Sequence, residues 1–159
     1  MIAPCLWFNG AAEEAARFYV SVFPRSGIGA VSRYGDAMPF PAGTALMVEF
    51  TLDGQRFQAL NGGPHFTFSE AVSFSVPCAD QAEVDRYWNG LTAGGGVPGR
   101  CGWLKDRFGV SWQIVPEALG RLMNAGNREQ VGRMMGALMQ MSKLDVAALE
   151  SAFAGSTDV

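Results

Sequence analysis

His65 is the single histidine of this chain, and it stands in the run Asn61-Gly62-Gly63-Pro64-His65-Phe66. An imidazole titrates near neutrality and so suits proton transfer, while paired glycines let a backbone bend close to a ligand. A plainer reading stands beside it, in which Gly-Gly-Pro is a loop between two halves and His65 a polar loop residue. Glu49, in Met47-Val48-Glu49-Phe50-Thr51, is the second candidate acid or base. Gln113, in Ser111-Trp112-Gln113-Ile114-Val115, is a neutral amide suited to fixing a ligand by hydrogen bonds and poorly suited to binding a hard cation. Cys5, Cys78 and Cys101 are odd in number, far apart and without C-x-x-C spacing, which reads as reduced thiols rather than a disulfide framework or zinc site. Cys101 becomes a nucleophile only if folding brings it near His65, and no Ser or Cys sits in a nucleophile-elbow motif.

The elements that must position these groups follow from periodicity. Leu6-Trp7-Phe8 is a short apolar run; Asn9-Gly10 reads as a helix start, and Ala11 to Phe23 carries apolar residues at helical spacing before Pro24. Three strand-like runs follow, Ile28 to Tyr34, Thr44 to Leu52 and Arg56 to Asn61, the last two joined by the hairpin signal Asp53-Gly54. Ala71 to Val76 is a further strand, expected to turn at Pro77 into a helix capped by Asp80. Cys101 to Pro116 reads as two strands around an Asp-x-x-Gly turn, with Lys105-Asp106-Arg107 as a solvated charge cluster. After Pro116 the pattern turns helical, over Glu117 to Ala125, Arg128 to Met141 and Asp145 to Ala154, with Gly155 as a stop. The methionine stripe Met134, Met135, Leu138, Met139 and Met141 reads as packing.

Strand alternation assigns faces. Leu46, Val48, Phe50 and Leu52 should meet a helix and Met47, Glu49 and Thr51 a cavity. Val110, Trp112 and Ile114 should likewise be covered, leaving Ser111, Gln113 and Val115 open. Phe57, Ala59 and Asn61, or their neighbours, are expected to line the open side of their strand, and Trp7, Asn9, Ser73 and Ser75 to complete it.

The chain repeats itself. Arg17-Phe18-Tyr19 on the first helix is echoed by Arg86-Tyr87-Trp88 on the second, and each is followed by strands, although the second module has lost most of the long arm between helix and hairpin. Gly94-Gly95-Gly96 and Pro98-Gly99 occupy that shortened connection. With the Asn61-to-Phe66 motif, these features resemble the vicinal oxygen chelate (glyoxalase/bleomycin resistance) superfamily, in its PhnB-like branch often labelled 3-demethylubiquinone methyltransferase. The resemblance implies an α+β fold of two βαβββ modules forming curved mixed sheets over residues 1–116, about 1–63 and 64–116. A helical extension, 117–159, would pack on the same domain. It also implies a homodimer. Metal-dependent members of the superfamily take four ligands, typically His and Glu, from four strands, and those positions fall here at about Pro4 or Cys5, Gln58 or Ala59, Glu70 or Ala71, and Gln113. That set is poor in metal chemistry, so no metal and no cofactor are expected.

Composition narrows the partners. A chain of 159 residues fits one compact domain, and a net charge of -3 with scattered Lys and Arg provides no field for nucleic acid. No apolar run reaches the roughly 20 residues of a membrane span, and the start Met1-Ile2-Ala3-Pro4 lacks a signal peptide's charged and apolar regions, so a cytoplasmic, membrane-free protein is expected. A methyl donor carrying adenosine would need a strand-to-helix glycine loop, but Gly94-Gly95-Gly96 follows a helix. The leading expectation is a protein that binds a small organic molecule in a concave sheet cavity without a metal. Trp7, Asn9, Asn61, Phe66, Trp103 and Gln113 would contact that ligand. A metal-independent enzyme using Glu49 or His65 is the alternative, along with a metal-dependent glyoxalase- or dioxygenase-type enzyme under a different ligand register. An interaction scaffold whose cavity is filled by side chains is the remaining class.

Overall fold

The computed structural model describes residues 1–156, so the last three residues of the helical extension lie outside the described part. The chain divides into two compact units, Met1–Phe68 and Ser69–Val159. It is an α+β fold built from two four-stranded mixed sheets. No described helix is long and apolar enough to cross a membrane.

The first unit runs β1 (Cys5–Phe8), α1 (Ala12–Val22), β2 (Gly27–Arg33), β3 (Ala45–Leu52), β4 (Gln55–Asn61). Its sheet has the order β1-β4-β3-β2, with β1 parallel to β4 and the other pairs antiparallel. Asp53 and Gly54 both take positive φ, 47° and 81°, which is the two-residue turn that Asp-Gly favours, and it sets Leu52 opposite Gln55. From that register Val48 faces Ala59 and Phe50 faces Phe57, all four buried. Tyr19 of α1 stacks on Phe50 at 6.3 Å between ring centroids, and Phe50 on Phe57 at 5.4 Å. The filled face of this sheet therefore includes Phe57, Ala59 and Asn61. Of the two registers left open for this strand, the structure takes the one in which the neighbours Gln58 and Leu60 line the open side, which moves Asn61 off that face; in a period-two strand a shift of one residue exchanges the faces.

Asn9-Gly10 also does not cap α1. Its N-cap is Ala11, which has no side-chain oxygen to offer. The oxygen comes instead from Asn61, whose Oδ1 accepts from the Gly10 and Ala12 backbone N–H groups at 2.8 and 3.0 Å, while its Nδ2 donates to the Ala45 carbonyl at 2.9 Å. A β4 side chain thus ties together the first turn of α1 and the start of β3.

The second unit runs β5 (Ser73–Cys78), α2 (Gln81–Thr92), β6 (Val97–Pro98), β7 (Trp103–Lys105), β8 (Ser111–Pro116), then α3 (Glu117–Ala125), α4 (Arg128–Leu138) and α5 (Val146–Ala154). The sheet order β5-β8-β7-β6 repeats the path of the first. Pro77 does not turn the chain as expected. It lies inside β5, and β5 is an edge strand, where a missing N–H costs no ladder bond. Helix α2 is capped locally, with Asp80 Oδ1 accepting from Glu83 N at 2.9 Å. Val84, Trp88, Leu91, Leu104, Trp112 and Ile114 are buried, as the alternation of β8 requires.

Asp106 is a further correction. It is 3 % exposed, not part of a solvated cluster. Oδ1 accepts from Phe108 N and Val110 N at 2.8 and 3.1 Å, and Oδ2 accepts from the Trp112 indole Nε1–H at 2.8 Å. Those three donors are the turn's own amides and the core tryptophan that follows it. Charge alone suggested solvent, but the Asp-x-x-Gly geometry folds the carboxylate inward.

The extension packs Leu122, Met134, Leu138, Leu144 and Leu149 into one cluster, with Met135, Met141 and Phe153 against it. Helix α4 ends three residues before the expected Met141. Asn127 and Gln130 close its start as a reciprocal capping box, and Asp145 and Gly155 bound α5, Gly155 in the left-handed region.

Candidate functional site

The open face of the first sheet is fixed by the pairings Trp7–Leu60–Met47 and Cys5–Gln58–Glu49. Trp7 donates its indole N–H to the Gly63 carbonyl at 2.9 Å. A β-carbon on Gly62 would lie 2.4 Å from the Trp7 ring, so this glycine is what lets the indole lie across the chain. Phe66 meets the same ring edge-on, with centroids 4.9 Å apart at 72°, and is 66 % exposed. The Asn61-to-Phe66 motif thus anchors an aromatic pair. His65 and Asn9 are exposed.

Glu49 lies on the open face as expected, partly exposed, with Arg56 NH2 at 3.9 Å from its carboxylate. Arg56 was not anticipated as its partner. The signal lay in the hairpin register, which places Arg56 opposite Thr51 and therefore diagonal to Glu49 on one face. Asn61, expected on this face, is wholly buried, and each of its side-chain polar atoms is engaged in holding α1 and β3.

On the second sheet, Gln113 sits opposite Ser75 and Trp103, and Ser111 opposite Ser73 and Lys105. Gln113 Nε2 donates to Ser73 Oγ at 2.9 Å, so the amide is oriented before any ligand arrives. Trp103 is half-buried beside it. Lys105 forms an ion pair with Glu70, whose carboxyl is held below its ordinary value chiefly by the hydrogen bond from Lys105. Ser111 is 2 % exposed, and its hydroxyl has no hydrogen-bond partner among the described residues. Sequence reasoning had placed Ser111 on this face without singling it out, since its isolation is a product of packing. Cys78 is buried, and burial pushes its thiol up to about 12, which makes it inert as a nucleophile at neutral pH.

The donor set does not fit a resident divalent metal. On the open faces, the strands that carry ligands in metal-dependent relatives offer the Cys5 thiol and the neutral amides of Gln58 and Gln113, while Glu70 is committed to Lys105. Among the described residues no three of His, Cys, Asp and Glu come together as a possible metal group. Nor do the glycines after α2 form a cradle for an adenosine-bearing methyl donor. Gly94 and Gly95 take φ of 72° and 113° directly after α2, where they reverse the chain rather than open a helix toward a ligand.

Residues 1–115 match the family described as 3-demethylubiquinone-9 3-methyltransferase, well over half of the chain. This chain belongs to that family. A solved structure of a PhnB protein from Bacillus cereus, titled with the same methyltransferase activity, is 36 % identical, covers 72 % of this chain and 98 % of its own, and superposes with a TM-score of 0.68. A protein from Pseudomonas aeruginosa is 26 % identical over 74 % of this chain and 97 % of its own, with a TM-score of 0.61. The fosfomycin resistance protein FosX from Mesorhizobium loti is 16 % identical over 72 % of this chain and 89 % of its own, with a TM-score of 0.52, and shares the fold. No curated protein matches the chain. The family match stops at residue 115, so α3, α4 and α5 lie beyond it.

Proposed function

We propose that this family member is a cytoplasmic homodimer that holds a small organic molecule against an open sheet face, with no metal. The observation that carries this reading is the contrast between two faces of each sheet. One is filled by apolar side chains under a helix. The other carries large aromatic rings and polar groups, Trp7 with Phe66 on the face that also bears Glu49 in the first unit, Trp103 beside the oriented Gln113 in the second. Apolar walls with a few fixed hydrogen-bonding groups are the composition of a small-molecule site.

In this reading Trp7 and Phe66 are walls and Asn9 fixes orientation on the face of the first unit, while on the face of the second Trp103 is a wall and Gln113 fixes orientation. Asn61 drops out of the contact set because its amide is spent on the fold. Glu49 supplies a charge at the ligand rather than a desolvated base, since it is partly exposed and faces Arg56. Binding is therefore favoured over an acid–base role for Glu49 or the exposed His65. Pairing of two copies would cover the faces each chain leaves open, twofold assembly being the commonest form of homo-oligomer. Three free cysteines suit a reducing compartment, and the net charge of -3 gives nucleic acid no purchase.

Native mass spectrometry of protein purified from its own host tests the reading. The expected spectrum is a dimer retaining an organic molecule, unchanged by chelators. A bare monomer, or a stoichiometric metal lost on chelation, would overturn it.

A further inference from the structure

The second unit contains a cavity of about 270 Å³, bordered by Val97, Pro98, Gly99, Trp103, Lys105 and Ser111, with Glu70 at its rim. That volume lies just below the range for ligand sites, about 300–1,000 Å³, so the occupant is a small molecule rather than a polymer. Its walls are mostly apolar. Two polar groups stand out on the open face of the sheet. Lys105 and Ser111 are directly opposite each other on β7 and β8, so their side chains rise from the same side, about 5 Å apart at the β-carbons. Ser111 is 2 % exposed with an unpartnered hydroxyl, a group that is costly to leave unpaired. Lys105 has three N–H donors, of which the ion pair with Glu70 needs one.

We propose that this cavity is a carboxylate-selective site, taking a small organic monocarboxylate whose acid group is received by the Ser111 hydroxyl and the Lys105 ammonium, with its apolar body against Trp103, Val97 and Pro98. The inference rests on the small-molecule reading above and names the chemical class for one of its faces. A hydroxyl and an ammonium on one side of an apolar pocket can both donate, and their hydrogen bonds to an anionic oxygen are about twice as strong as those to a neutral carbonyl, while a cationic head meets the Lys105 charge in repulsion.

The wall of this cavity is held from behind by a part of the chain outside the family match. The Gly99 N–H bonds to the Trp103 carbonyl at 2.8 Å, and the Gly99 carbonyl accepts from the Ser142 hydroxyl. Cys101 N and Gly102 N donate to the Met141 and Ser142 carbonyls, each at 2.8 Å. The segment between α4 and α5 therefore braces the short β6–β7 connection. A cavity walled by that connection is kept in shape by the extension.

The test is a titration of the full chain with benzoate, benzamide and benzylamine, read from the indole and backbone NMR signals of Trp103 and the amide of Ser111. Benzoate is expected to bind at least about tenfold more tightly than either analogue. Ser111→Ala and Lys105→Met should each weaken benzoate by about five- to tenfold and benzamide by distinctly less, with unperturbed spectra elsewhere reporting an intact fold. Glu70→Gln, which removes the competing carboxylate, should tighten benzoate. Equal binding of benzamide, tighter binding of benzylamine, or undiminished benzoate affinity in Ser111→Ala each overturns carboxylate selectivity and leaves the broader reading standing. No response at Trp103 to any probe, while native mass spectrometry still finds a retained organic molecule, overturns this cavity as the site. If no molecule is retained either, the small-molecule function falls with it.

Discussion

The sheets of the two units follow one path, β1-β4-β3-β2 in the first and β5-β8-β7-β6 in the second, but their helices are secured differently. Helix α2 takes its capping oxygen from Asp80, three residues from the amide it receives. Helix α1 takes its oxygen from Asn61, 49 residues from the Ala12 amide, and the same side chain also holds the start of β3. The turns are reversed in character. In the first unit the hairpin carboxylate, Asp53, is exposed and paired with Arg25, whereas in the second the carboxylate of Asp106 is buried beneath the turn. Each module thus contains one buried polar anchor, placed at the helix entry in one and at the hairpin in the other. A repeated architecture fixes the path of the chain without fixing which residue carries the polar load.

The largest break in this comparison should come from Asn61→Ala. A buried amide, a part-buried amide and a buried carbonyl lose their partner, for a cost of about 3–5 kcal/mol, against about 1 kcal/mol for Asp80→Ala at an ordinary cap. Urea unfolding of both variants measures the ratio, and equal costs would show that α1 does not depend on its distant cap.

A somewhat smaller effect is expected at the hairpins. Asp106→Ala orphans two turn amides and the Trp112 indole and should cost about 2–4 kcal/mol. Asp53→Asn, which keeps a residue tolerant of the positive φ, should change stability by less than about 1 kcal/mol because its ion pair is exposed. Thermal unfolding of the pair sharpens the contrast between buried and surface carboxylates.

The smallest effect concerns Glu13 at the first turn of α1. Hydrogen bonds from Arg33 and then Arg17 lower its pKa from 4.5 to about 2. A depressed carboxylate contributes stability that is present above its unfolded value and lost as pH falls through the folded one, so the loss should develop between about pH 4.5 and 2. Following the Glu13 carboxyl resonance by NMR should give a midpoint near 2. Arg33→Ala should move it back toward 4.5. A midpoint that stays low in that variant would assign the shift to Arg17 instead.

Much of this architecture was legible in the chain because it is encoded locally. Asp53-Gly54 forms its tight turn through its own backbone preferences, Asp80 and Asp145 cap the helices that directly follow them, and the alternation in Val110-Ser111-Trp112-Gln113-Ile114 fixes which face of β8 is buried. The faces of β4 were not legible in that way. Phe57, Ala59 and Asn61 alternate with Gln58 and Leu60, so side-chain types on both faces are mixed and only the register against β3 separates them. Tertiary structure alone decided that Asn61 anchors α1 and β3, since its partners Gly10, Ala12 and Ala45 are remote in sequence. It decided equally that Asp106 turns inward, that Arg56 reaches Glu49, and that Ser111 is buried opposite Lys105 with no hydrogen-bond partner among the described residues. The sequence by itself determined the elements, whose information lies in a few neighbouring residues. Partners of polar side chains depend on distances between strands brought together by folding, and no local pattern records those.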